Sequence, residues 1–257
     1  MISFRAVLAA APACLAAIIV ALSTACAPAQ PGPRKWASCS TSPQGTHQFG
    51  AFLLANGEWN SSLPQTVCGN SGSDWQVTFN APAGGGPVLT YPDVQIDYTT
   101  SQPAVSSLNP AASTSWAENM NAHAGTIAEA AFDIWLDGNG GQPGAKEVMI
   151  WVDTVGKTLT GADGVQIAGP VTFCGQPWTL WQNQSDPSNL IWYLPRNERS
   201  GSACTVQMLQ WLQAHGYENP SATLYQYEYG WEINSTGGDN EKFQMNAYSV
   251  SGLPAGN

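Results

Sequence analysis

FDIWLDGNGGQPGAKEVMIWV, residues 132–152, reads as two strands joined by a turn. A period of two sends Val148, Ile150 and Val152 to one face of the second strand and Glu147, Met149 and Trp151 to the other. In the first strand Phe132, Ile134 and Leu136 take the apolar face, leaving Asp133, Trp135 and Asp137 opposite. The Gly-rich connection suits a hairpin, which sets Asp133 and Glu147 on the same side of a sheet. A carboxylate beside a thioether and an indole is a costly placement unless it has a partner or a task. Glu147 is therefore a candidate functional group.

A third run, LYQYEYGWEI at residues 224–233, alternates in the same way. Tyr225, Tyr227, Tyr229 and Trp231 fall on one side, Gln226, Glu228, Gly230 and Glu232 on the other. Any one of these acids alone reads as a solvated strand face. Three such strands weaken that reading. Two carboxylates across a cleft, with aromatic rings beside them, are what glycoside hydrolysis requires: one protonates the leaving oxygen and the other attacks the anomeric carbon.

The rest of the chain sets the frame for these strands. Hydrophobic residues make up 43% and charged residues 10% of 257 residues, with 11 Trp and 26 Gly, which argues against disorder and against a helical bundle. Segments 75–79, 94–98 and 243–248 alternate and are bounded by the turn signals APAGGGP, TYPD and STGGD, so an antiparallel sandwich is expected. The exception is 204–216, where Val206, Leu209 and Leu212 recur at helical spacing and Gly216 offers a stop. A net charge of -10 repels polyanions, which excludes nucleic acid as a partner and favours a neutral one. A monomer is expected.

Residues 1–27, MISFRAVLAAAPACLAAIIVALSTACA, have the cation, apolar run and small residues of an export signal. Two cleavages compete, after Ala27 or before Cys26; the second makes 1–25 a lipoprotein signal with Cys26 lipidated. The protein is thus expected to be secreted, or anchored at the cell surface through Cys26, its sole route to a membrane. Residues 28–35 read as a Pro-rich tether and 36–257 as one domain. Export permits disulfides, and Cys39, Cys68, Cys174 and Cys204 allow three pairings. The pairing that closes the shortest loops is Cys39–Cys68 with Cys174–Cys204. No CxxC spacing exists and His47, His123 and His215 are scattered, so neither a metal site nor a cofactor is expected.

FDIWL (132–136), KEVMIWVDTVG (146–156) and YGWEINSTGG (229–238) resemble the signature of glycoside hydrolase family 12, with GEWN (57–60) and LTYPDVQ (89–95) in family order. The resemblance spans Trp36 to Ser251. It implies an all-β jelly-roll sandwich of two curved antiparallel sheets with one α-helix, cutting β-1,4-glucans internally with retention. It also implies Glu147 as nucleophile, Glu232 as acid/base and Asp133 as a supporting acid, acting on a β-glucan polysaccharide or oligosaccharide. Asn56, Trp59, Met149, Trp135 and Trp151 are the candidate substrate-binding residues. Trp59 reads as a sugar-stacking platform or a core tryptophan, and Met149 as a subsite wall or a packed side chain. Family members commonly carry Asn-Asn-x-Trp where this chain has Asn56-Gly57-Glu58-Trp59, a departure that bears on affinity and substrate preference. The alternatives are a non-catalytic carbohydrate-binding jelly-roll protein, or a related retaining xyloglucanase or xylanase.

Overall fold

Short alternating segments with turn residues between them pair into two sheets in the computed structural model, which describes residues 34–161 and 163–257. The export signal, Cys26 and residues 28–33 of the tether lie outside the described residues. Residues from Trp36 to Asn257 form one compact unit. The smaller sheet has six strands, in the spatial order β1 (Ser38–Ser40), β4 (Gln65–Ser71), β5 (Asp74–Asn80), β15 (Asn240–Ser251), β7 (Ser113–Met120) and β13 (Ser200–Ala203). The larger has nine, in the order β10 (Val165–Phe173), β11 (Gln176–Gln182), β12 (Asn189–Tyr193), β9 (Lys146–Val155), β8 (Thr126–Leu136), β14 (Leu224–Thr236), β6 (Asp93–Asp97), β3 (Phe52–Ala55) and β2 (Thr46–Phe49).

The apolar faces read from the sequence meet between the sheets. Val148, Ile150, Phe132, Ile134, Leu136, Tyr227, Tyr229 and Trp231 are buried in one core with Trp75, Val77, Phe79, Phe243 and Met245 of the smaller sheet. Trp75 and Trp231 lie 4.7 Å apart between ring centroids, and Trp116 meets Phe132 edge-on at 5.8 Å. Each such side chain contributes about 1.5–3 kcal/mol through burial, so this face fixes the strand register and thereby which residues point away from it.

The helix runs Thr205–Ala214 (α1), with Val206, Leu209 and Leu212 buried and Gly216 at φ 76 ending it as expected. Cys204 at its N-cap makes no side-chain capping bond; it is joined instead to Cys174, in the turn between β10 and β11. The second bridge joins Cys39 to Cys68, which are register partners on β1 and β4.

The structure departs from the pattern read in the sequence in several respects. β12 pairs with β9 in parallel, because β10 and β11 carry the chain out to the sheet edge and back so that β12 returns in the direction of β9. Tyr225 is an extra residue in β14: Leu224 pairs with Leu136 and Gln226 with Trp135, so Leu224 fills the core place and Tyr225 is half-buried. Asp137 leaves the face of Asp133, since it lies beyond β8 at φ 58 and accepts from Thr223 N and Oγ1 at 2.8 and 3.0 Å. In β9, Ala131 pairs with Trp151 and Ala130 with Asp153, leaving Val152 as the bulged residue. Asp153 thereby turns inward to Glu118 of β7, with Arg199 Nε at 3.8 Å. Burial first, and then Asp153, pushes Glu118 up to about 9.

Candidate active site

The face of the larger sheet turned away from the core carries a groove of about 980 Å³. Its floor is built from β9, β8 and β14 side by side, so residues two apart on each strand project into it together. From β9 come Glu147, Met149 and Trp151; from β8, Glu129, Asp133 and Trp135; from β14, Gln226, Glu228 and Glu232. Asp93 and Gln95 of β6 extend it on the β14 side. The structure thus brings Glu147, Asp133 and Glu232 into one groove.

Register explains how they meet. Trp135 is opposite Glu147, and Asp133 is opposite both Met149 and Glu228, which leaves Asp133 diagonal to Glu147 across the hairpin. The two carboxyls share a hydrogen bond that favours the proton on Asp133. Burial first, then the charges of Glu147, Glu228 and Glu232, holds Asp133 well above the usual carboxylate range. It therefore donates to the Glu147 carboxylate. Asn189 of β12 is the parallel register partner of Glu147, and its side-chain amide donates to Glu147 Oε2. Burial and then the Glu232 charge push Glu147 up to about 7, while the Asn189 and Asp133 bonds pull it down.

On the β14 side, burial comes first in holding Glu232 well above the usual range, followed by the charge of Glu129 and a hydrogen bond to it; Lys157 opposes this. Glu228 is pushed up to about 8 by burial, then by Asp97 and Glu147. A carboxyl beside a carboxylate is the arrangement that separates an acid from a base at one pH.

Aromatic and apolar side chains form part of the groove wall, among a larger number of polar and charged ones. Met149 and Trp151 are buried in a small cluster with Ala131, Leu159 and Ile191, and Trp151 meets Tyr193 edge-on at 6.4 Å. Trp135 is half-buried beside Gly140. Trp59 is 53% exposed at the groove, which places it outside the core. Gly57 sets it there: its φ is 53, and a Cβ would stand 1.9 Å from the Tyr91 carbonyl oxygen. Asn56 does not line the groove. It is fully buried, donating to Ser42 O at 2.8 Å and accepting from Gln65 Nε2 at 3.1 Å, so it anchors the loop and has no exposed atom for a ligand.

Among the groove residues not singled out from the sequence are Asn189, Glu129, Glu228 and Lys157. Three had a legible signal. In NLIWY the alternation puts Asn189, Ile191 and Tyr193 together, and extending FDIWL backwards puts Glu129 and Ala131 on the face of Asp133. Glu228 stands on the polar face with Glu232. Nothing in the sequence marks Lys157, which follows the end of β9.

The profile of the family described as "Glycosyl hydrolase family 12" matches residues 54–251. The chain belongs to glycosyl hydrolase family 12. It is therefore a glycoside hydrolase. Among family 12 relatives, a probable xyloglucan-specific endo-β-1,4-glucanase A of Aspergillus flavus is 26% identical over 213 residues, covering 80% of this chain and 86% of that protein. The Aspergillus terreus protein of the same name is 25% identical, covering 79% and 82%. Solved structures share the fold. The xyloglucanase domain of NopAA from Sinorhizobium fredii, in complex with cellobiose, superposes with a TM-score of 0.71 at 22% identity, over 84% of this chain and 99% of that one. An endoglucanase of Rhodothermus marinus gives 0.70 at 22% identity, over 83% and 97%.

Proposed function

We propose that this family 12 hydrolase is a retaining endo-β-1,4-glucanase in which Glu147 is the nucleophile, Glu232 the acid/base and Asp133 the group that orients Glu147. The observation that carries the reading is the contrast between the two sides of the groove. Glu147 accepts from two donors, Asn189 and Asp133, which favours its ionised form; Glu232 faces a carboxylate and no such donors, which favours its proton. In the first step Glu232 gives its proton to the glycosidic oxygen while Glu147 Oε bonds to the anomeric carbon, and the bond from that carbon to the leaving oxygen breaks. Esterification removes the Glu147 charge. In the second step Glu232 takes a proton from water, whose oxygen displaces Glu147 from the sugar.

The relatives' names support a β-1,4-glucan backbone, and two of them specify xyloglucan. Exposed Trp59 suits stacking on the apolar face of a glucose ring. Two disulfides fit an oxidising compartment, in keeping with export. Mass spectrometry of the mature amino terminus separates free secretion, starting at Pro28, from lipidation of Cys26.

Hydrolysis of carboxymethylcellulose, mixed-linkage glucan, xyloglucan and xylan establishes the preferred polymer, with a β-1,4-glucan expected to be cleaved fastest. NMR of the first-formed sugar should show the β anomer; an initial α anomer means an inverting enzyme. Glu147→Gln should abolish turnover and keep sugar binding. Azide should restore Glu147→Ala by forming an α-glycosyl azide and Glu232→Ala by forming a β-glycosyl azide, whereas Glu228→Gln should stay active without it. Near wild-type hydrolysis by Glu147→Gln, or azide rescue at position 228 instead of 232, overturns the assignment.

A further inference from the structure

Glu129 is fully buried on β8, directly opposite Glu232 in the antiparallel register with β14. Like charges placed opposite each other destabilise a sheet. Two features relieve the conflict. The carboxyls share a hydrogen bond, and Lys157 Nζ lies 2.6 Å from Glu129 Oε2. That ammonium is itself held from two further directions, 4.5 Å from the Trp151 ring centroid and 3.5 Å from Asn234 Oδ1, and its side chain is only 17% exposed. A cation fixed this well is not a solvated surface charge.

We propose that Glu129 and Lys157 are a positioning pair for the acid/base: Glu129 accepts the proton of Glu232 and aims it, and Lys157 fixes the Glu129 carboxyl in place through their ion pair. The inference rests on the assignment of Glu232 given above. Other charged or titratable groups facing Glu232 are Asp133 from β8, Glu147 from β9 and the Tyr91 hydroxyl ahead of β6. Asp133 already gives its proton to Glu147, so it cannot serve Glu232 in the same way. The nucleophile and the acid thus have separate partners, neutral donors for one and a cation-backed acceptor for the other.

The arrangement works in both half-reactions. Before glycosylation, Glu129 draws the Glu232 proton into a fixed direction, since a carboxylate acceptor makes the stronger kind of hydrogen bond. After that proton has gone to the leaving oxygen, Glu232 is an anion beside a second anion, and taking a proton from water relieves the repulsion. Lys157 limits the repulsion so that donation is still feasible.

The test is the alkaline limb of the pH profile of kcat/KM on a neutral oligosaccharide, which reports loss of the Glu232 proton. Glu129→Gln removes the facing charge, so the limb should move to lower pH by about one unit, equal to about a tenfold loss at a fixed pH above it. Lys157→Met leaves Glu129 uncompensated, so the limb should move to higher pH. KM should change little in both. On an aryl glycoside whose leaving group needs no proton, the Glu129→Gln effect on the glycosylation step should vanish. Unmoved limbs, or limbs moving in the same direction, overturn the proposal.

Thermal melting identifies a variant that fails to fold. Should Glu129→Gln be one, the double variant Glu129→Gln/Lys157→Met carries no unpaired cation, and its limb must lie below that of Lys157→Met; coincidence of the two overturns the proposal. If Glu232→Gln itself keeps activity, the acid assignment fails. If it abolishes activity while the Glu129 and Lys157 variants leave the limb in place, only the positioning pair fails.

Discussion

Asn189 and Glu147 stand in parallel register on adjacent strands, and the Asn189 amide donates to the Glu147 carboxylate. A hydrogen bond to the charged form lowers the pKa of an acid, so removing it raises that pKa. Asn189→Ala should shift the acidic limb of kcat/KM to higher pH by about one unit, with a smaller loss at the plateau. The pH profile checks this, and an unchanged acidic limb sinks it.

As the proposed orienting group, Asp133 acts on Glu147 through its proton, so a neutral donor of the same shape should replace it in part. Asp133→Asn should keep activity within about tenfold, whereas Asp133→Ala should lose about a hundredfold in kcat, as expected when a fixed donor is removed from a charged site. Its acidic limb should also rise. Equal damage from both variants would count against a donor role.

At Gly57 the usual family residue should not fit. Asparagine tolerates a positive φ, but its Cβ would meet the Tyr91 carbonyl oxygen at 1.9 Å. Forced backbone movement of this kind costs about 1–3 kcal/mol. Gly57→Asn should lower the melting temperature and raise KM through displacement of Trp59. A variant as stable as wild type shows that the loop can shift without cost.

The inward acid pair gives a stability prediction. Glu118 is pushed up to about 9 in the folded protein, from 4.5. A carboxyl with a raised folded pKa contributes stability below its unfolded value, and that contribution is lost as pH rises through the folded one. Stability should therefore decline from about pH 4.5 towards 9, and Glu118→Gln, which keeps the neutral form at every pH, should flatten the decline. For a domain of this size each kcal/mol corresponds to about 2–4 °C in melting temperature. Melting curves across that range decide the matter; parallel curves for the two proteins contradict it.

Alternation over 132–152 and 224–233 made Glu147, Asp133 and Glu232 legible because a period of two, once the apolar face is known, leaves no choice for the other face. The same rule misplaced Asp137 and Tyr225, where a left-handed residue and a bulge break the count. Asn189 could be assigned to a face but not to a partner, because a parallel pairing formed after two intervening strands is a long-range event that no local pattern encodes. Asn56 is attractive as a polar residue before Trp59, yet its side chain satisfies buried backbone groups of its own loop. The likeness to family 12 supplied roles, whereas periodicity supplied only faces.

The disulfide at Cys204 makes the helix a reporter of how the protein was oxidised. The first turn has neither a capping side chain nor an acidic residue, so it is held in place by the link to Cys174 and by packing such as the 2.9 Å contact between the Thr205 and Tyr227 hydroxyls. Once the link is reduced, that turn loses its covalent tether, and local opening there exposes amides to solvent without global unfolding. Deuterium uptake at Val206 to Met208 should therefore distinguish bridged from reduced molecules in a mixed preparation, even where both are equally active.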